Sequence, residues 1–345
     1  MTKVALISPF TLPDCCGNSI LTDRLQKGLT KRGYEIALFN SNKDQPEQAL
    51  QFSPQIVHSF NAERTCQWMK QLRKRLSTPW VITLTGTDYA PWCGIKAPPV
   101  QIKETLEGAD VLIVFHGSAA ISLSAALPLL KNKLHIIPQG IAPLESKEDR
   151  GMVRTKFGIG HGKIVFLMAG GIRPVKNFSL AIKAFDEVKK LVPEVVLLHV
   201  GPVMDKEEAE RVFALSKNLN CFRSRGGLPP FEVRELMRAV DVLANTSFHE
   251  GMSGAILEAM AEGLPILASS AEGNLALVQE NKNGFIFSVN DPHTLTRRAI
   301  ELARNPSLRK KMGEKSKSLA LKNHSEKKEL DLHVEVYRRL LGGST

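Results

Sequence analysis

The chain has 345 residues, 43% hydrophobic and 23% charged, which is ordinary globular composition with room for two domains of common size. No apolar run reaches the roughly 18–20 residues that a spanning helix needs, and Met1-Thr2-Lys3 followed by Val4-Ala5-Leu6-Ile7 is too short and strand-like for a signal peptide. A net charge of +11 favours anionic partners, and with 6% aromatics and no RNA-binding motif the expectation is no nucleic acid among them.

Short apolar runs predict strands over 3–8, 35–39, 56–58, 80–84, 111–114 and 134–137, with helical patterns over 19–32, 64–76 and 118–127 between them. The polar stretch 145–149 is the expected linker. The rhythm then resets, with strands over 164–169, 195–200, 242–245, 265–269 and 284–287 and helices over 178–191, 207–219, 231–239, 253–262 and 292–304. A Lys-rich helical segment over 307–328 and an amphipathic helix over 329–341 close the chain. Alternating βα units of this kind predict an α/β fold with two doubly wound parallel sheets, whose ligands bind outside the carboxyl ends of the strands.

The five cysteines, Cys15, Cys16, Cys66, Cys93 and Cys221, are odd in number and lack metal-ligand spacing, which points to free thiols and a cytoplasmic protein. Asp-x-Asp, P-loop, Gly-x-Gly-x-x-Gly and Gly-x-Ser-x-Gly motifs are all missing from the chain, and no bound metal or cofactor is expected.

Several strand-to-helix loops are candidates for chemistry. In Asp14-Cys15-Cys16-Gly17-Asn18-Ser19 the glycine permits close backbone approach and the following helix start suits a phosphate, although a capped turn accounts for the same residues. In Thr85-Gly86-Thr87-Asp88 the aspartate is either a partner for a sugar or acceptor hydroxyl or a turn cap. Gly140, in Pro138-Gln139-Gly140-Ile141, is expected to take a turn with positive φ. Gly170-Gly171-Ile172-Arg173-Pro174-Val175-Lys176 sets two cations three residues apart on a glycine-rich loop, an arrangement suited to clamping a diphosphate.

The most informative stretch runs from His249 to Ser269. Glu250 and Glu258 stand eight residues apart, joined by Gly251-Met252-Ser253-Gly254 and the start of an Ala-rich helix. The turn's N–H groups and the helix's positive end favour an anion, and the carboxylates accept from neutral hydroxyls. An anion flanked by hydroxyls describes a nucleotide-sugar.

Taken together, Glu250-x7-Glu258 with Ala-Met-Ala-x-Gly-x-Pro-Ile after it, and Gly-Gly-Ile-Arg-Pro-Val-Lys upstream, resemble the retaining glycosyltransferases of family 4. The likeness runs along nearly the whole chain. It is nearest to a compact branch that takes in a vertebrate glycosyltransferase and the bacterial selenosugar synthases. The resemblance implies the GT-B fold, two Rossmann-like domains facing a central cleft, over 1–147 with the closing helix 326–345 and over 148–325. It implies transfer from a nucleotide-diphosphate sugar, a UDP-sugar ahead of a GDP-sugar, to an unidentified acceptor. Arg173 and Lys176 would neutralise the leaving diphosphate, Glu250 would hold the donor sugar and Glu258 the ribose hydroxyls. Gly171 and the N–H groups around Gly251, Met252, Ser253 and Gly254 would contact donor, Leu228 would lie near the base, and Gly17 and Asn18 would let the first loop approach the phosphate. Asp88 stands where many relatives carry a histidine.

The same donor residues would serve a selenosugar or thiosugar synthase, or an epimerase given a further acid and base. A nucleotide-sugar-binding or membrane-surface protein without catalysis is the non-enzyme alternative, and the basic stretches 64–76 and 304–328 offer either a weak contact to anionic membrane or solvated helix faces.

Overall fold

The computed structural model describes residues 1–14, 16–93, 97–142, 144, 148–217 and 219–342. Cys15 and positions 145–147 of the expected linker lie outside them. The chain divides into two compact units, the first comprising Met1–Gly140, Glu250–Met252 and Glu326–Thr345, the second Ile141–His249 and Ser253–Ser325.

The first unit holds a six-stranded parallel sheet in the order β2-β1-β3-β4-β5-β6. Its strands are β1 (Lys3–Ser8), β2 (Glu35–Asn40), β3 (Ile56–Phe60), β4 (Trp80–Thr83), β5 (Val111–Val114) and β6 (Leu134–Ile136). The central strands read as near-continuous apolar runs because helices cover both faces. Ile7, Val57, Ile82 and Leu112 are buried in one core with Trp68 and Leu72 of the helix Ala62–Arg73. Each such side chain contributes roughly 1.5–3 kcal/mol of transfer free energy. The helices Pro46–Phe52 and Val100–Gly108 were not anticipated from the pattern.

The last helix, Glu326–Leu340, belongs to this first unit. Arg24 donates to both carboxylate oxygens of Glu329, at 3.0 and 2.9 Å, and Glu329 is buried. Gly28 leaves room for Leu330, whose Cδ1 would stand 2.4 Å from a Cβ there. The Tyr337 hydroxyl and His58 Nδ1 share a 2.6 Å hydrogen bond, and His58 Nε2 shares another, 2.7 Å long, with the Thr83 hydroxyl. Burial first, and the neighbouring His333 second, hold the His58 imidazole well below its ordinary range. Gly140 corrects the sequence expectation, because it is not among the residues with positive φ. A Cβ at 140 would come within 2.6 Å of the Glu326 Cα, so close backbone approach is what requires the glycine.

The second unit also holds a six-stranded parallel sheet, ordered β12-β11-β10-β7-β8-β9. These strands are β7 (Ile164–Ala169), β8 (Val195–Val200), β9 (Phe222–Ser224), β10 (Val242–Asn245), β11 (Ile266–Ser269) and β12 (Gly284–Phe287). Phe166 meets Phe185 of the helix Phe178–Leu191 edge to face, with ring centroids 4.8 Å apart, and Leu197, Val242 and Phe285 surround them. The helix Pro292–Arg304 is capped by Asp291, which accepts from the Thr294 backbone and hydroxyl. Among the described residues no helix is long and apolar enough to cross a membrane.

Candidate active site

In the second sheet the strand order reverses between β7 and β10. Loops that leave such a reversal diverge and open a crevice at the carboxyl ends of the strands. The loop after β7 carries Gly170, Gly171, Arg173 and Lys176, and the chain after β10 leads to Ser253 and Glu258. The two are tied by backbone: Phe248 N–H donates to the Val175 carbonyl at 2.9 Å, and the Thr246 hydroxyl donates to the Lys176 carbonyl at 2.8 Å.

The β7 loop is shaped by its glycines. Gly170 has φ of +139°, and the Lys176 side chain crosses it, with Cε 3.5 Å from the position of a Cβ. Gly171 faces Met204, whose Sδ would be 2.5 Å from a Cβ. After an extended Arg173, a 3-10 turn Pro174–Lys176 leads into Asn177, which has left-handed backbone and starts the helix Phe178–Leu191. His199 at the end of β8 donates from Nε2 to the Gly170 carbonyl at 2.9 Å and accepts at Nδ1 from the Ser224 hydroxyl at 2.9 Å. Burial lowers its pKa, so the ring stays neutral and keeps this tautomer. Both Arg173 and Lys176 are partly exposed.

Ser253 caps the helix Gly254–Ala261, accepting from Ile256 N–H, and also accepts from the Asn245 amide at 3.3 Å. Asn274 binds back to Asn245 Oδ1 and to Ser269, and the Ser269 hydroxyl donates to the Ser247 carbonyl at 2.6 Å. This buried amide and hydroxyl network fixes the carboxyl ends of β10 and β11 beneath the cap. Glu258 lies one turn inside the helix and is partly exposed. Leu228 is half-buried before the helix Pro230–Ala239, at a surface groove with Phe157, Arg223, Arg225 and Glu232.

The first sheet reverses between β1 and β3. The loop after β1 contains Gly17 and Asn18, at the start of the helix Gly17–Thr30. A Cβ on Gly17 would meet nothing within 4 Å, and its φ is not positive, so the fold itself does not demand a glycine. Asp88 is fully buried. Its Oδ1 accepts from Thr85 and Gly86 N–H at 3.0 and 2.9 Å, and Oδ2 from Ala62 N–H at 2.9 Å. Burial pushes its carboxyl up to about 6, against the pull of these backbone donors. Asp88 therefore shapes the 85–88 loop, with its oxygens already taken by the chain.

The 250–252 segment belongs to the first unit. A Cβ on Gly86 would stand 2.2 Å from Gly251 N, so two glycines allow the backbones to touch. His116 and Gln139 also hold this segment, through the Gly251 and Met252 carbonyls. Sequence reading did not single out His116, although its place two residues past the end of strand β5 was a usable signal. Among the described residues no group of three or more His, Cys, Asp or Glu is placed to hold a metal ion.

The two doubly wound six-stranded units have the GT-B fold of solved glycosyltransferase structures. The chain matches sucrose-phosphate synthase from Thermosynechococcus elongatus with a TM-score of 0.83 at 16% identity, covering 100% of both chains. It matches Anabaena HepE in complex with UDP and glucose with a TM-score of 0.79 at 15% identity, covering 98% of this chain and 100% of that one. The chain carries a domain of the glycosyl transferases group 1 family over residues 149–319, and belongs with the glycosyltransferases as an enzyme class. It is 27% identical over 333 residues to glycosyltransferase 1 domain-containing protein 1 of Xenopus tropicalis, spanning 94% of each chain. It spans about half the length of several other curated relatives.

Proposed function

We propose that this protein is a retaining, metal-independent glycosyltransferase that moves a sugar from a nucleotide-diphosphate sugar, a UDP-sugar ahead of a GDP-sugar, to an acceptor. The junction at the β7–β10 reversal carries the reading, because it gathers a glycine-rich loop with two cations and a capped helix start on adjacent strands of one sheet. The family resemblance supports it, as does Anabaena HepE, whose structure holds UDP and glucose.

Departure of a nucleoside diphosphate builds negative charge on the leaving oxygens. Arg173 offers a planar fork and Lys176 a point charge to that group, and the N–H groups of Ser253 and Gly254 add the helix's positive end. In this reading Glu258 accepts from the ribose hydroxyls, Glu250 holds the donor sugar beside the Gly251 and Met252 N–H groups, and Leu228 packs near the base. Gly171 lets the loop approach the diphosphate, and Gly17 with Asn18 approaches from the first loop. Asp88 keeps a positioning role. The leaving phosphate itself helps to take the acceptor proton, which needs no protein nucleophile.

A panel of nucleotide-sugars in a thermal-shift assay tests the donor assignment. A donor at a hundredfold excess over its Kd stabilises the protein by about 2.7 kcal/mol. Arg173→Ala and Glu258→Ala should each lower turnover by about two orders of magnitude or more while the melting temperature holds. Full activity in both variants would overturn the reading.

A further inference from the structure

The segment 250–252 is seated by three loops that leave successive strands of the first sheet. Gly86 follows β4 and touches the Gly251 backbone, His116 follows β5, and Gln139 follows β6. His116 Nε2 lies 2.7 Å from the Gly251 carbonyl, and Gln139 Nε2 donates to the Met252 carbonyl at 3.3 Å. His116 is at the same time the N-cap of the helix Gly117–Ala126, where its Nδ1 accepts from Ala119 N–H at 3.2 Å. An accepting Nδ1 places the ring proton of a neutral imidazole on Nε2, so the cap sets the tautomer and Nε2 donates to Gly251. A buried carbonyl that loses its donor costs about 1–3 kcal/mol, and the seat holds two such carbonyls on adjacent residues.

We infer that His116 is a positioning residue for glycosyl transfer, in that it fixes the Gly251 carbonyl and through it the neighbouring Glu250. The inference rests on the reading that Glu250 holds the donor sugar. The side chain that caps the helix on one nitrogen orients the reaction on the other.

Two substitutions separate these duties. In His116→Asn the side-chain oxygen replaces Nδ1 as a cap but the amide is too short to reach Gly251. In His116→Gln the amide reaches as far as Nε2, while glutamine is a poor cap. His116→Asn should lose at least tenfold in kcat, with a smaller change in donor KM. His116→Gln should be the more active of the pair, within about threefold of the unmodified kcat. The reverse ranking, or equal kcat in the two, reduces His116 to a helix cap and overturns the inference. Gln139→Met decides the matter should the His116 variants fail to fold, because it removes the donor to Met252 without touching a cap. A severalfold lower kcat in protein that still melts cooperatively supports the seat, and full kcat overturns it. An unmodified protein that transfers sugar from no nucleotide-sugar fails the functional reading, and the inference with it. An active protein with His116→Asn at full turnover fails the inference alone.

Discussion

Lys176 lies across Gly170, its Cε and Nζ 3.5 and 3.9 Å from where a Cβ on residue 170 would stand, while the Gly170 carbonyl accepts from His199. The glycine thus serves the path of a cation as well as the turn of the chain. Its φ of +139° is strained for any residue with a side chain. Gly170→Ala should cost about 1–3 kcal/mol of stability and displace the ammonium group. Donor-saturation kinetics should show at least a tenfold loss in kcat/KM. A variant with the kinetics of the parent would mean that the Lys176 path is dispensable.

Asp88 makes a prediction about acidity. Its folded value near 6 stands above the ordinary 3.8, so the folded protein holds the proton more firmly than the unfolded chain. The contribution is fully present below about pH 4 and is lost as pH rises through about 6. At about 1.36 kcal/mol per unit the swing is about 3 kcal/mol. Urea titrations between pH 4 and 7 on the parent and on Asp88→Asn should differ by this slope. Parallel curves would remove Asp88 from the pH dependence.

The Arg24–Glu329 pair is a test of the last helix. Arg24→Met leaves the buried Glu329 carboxylate without its bidentate partner, at a cost of about 3–5 kcal/mol. Adding Glu329→Leu should return most of the loss, since an apolar pair of similar volume removes the stranded charge. Melting temperatures of the two single variants and the double variant close the cycle, and additive losses would contradict the argument.

The proposed diphosphate clamp of Arg173 and Lys176 predicts insensitivity to chelation. Turnover with the donor identified by thermal shift should be the same in EDTA as in added Mg²⁺ or Mn²⁺. Strict dependence on either ion would replace Arg173 and Lys176 as the main source of positive charge at the leaving group.

The alternating strands and helices were legible in the sequence because central parallel strands are apolar on both faces. β7, β8 and β12 start and stop where the pattern places them. Strand β9 was missed because three residues, Phe222-Arg223-Ser224, are too few for a period and two of them are exposed. The helix Val100–Gly108 follows Pro98-Pro99 directly, where punctuation reads as loop. The glycine-rich β7 loop and the cap at Ser253 were visible as local motifs. The bond between His58 and Tyr337 joins residues 279 positions apart, and nothing local in either segment announces it. Gly140 was legible as a glycine with a purpose, but its reason is the distant Glu326 backbone rather than its own φ.

The helix Glu326–Leu340 supplies Glu329 and Tyr337 to a unit whose other strands and helices lie almost wholly within the first 140 residues. On the ribosome those early strands emerge long before the helix that completes them. Until it arrives, Arg24 has no Glu329 to bond, His58 no Tyr337, and Gly28 no Leu330 to pack against. The second unit draws on nothing beyond Ser325, so the first unit, although it begins the chain, is the later of the two to be complete in sequence.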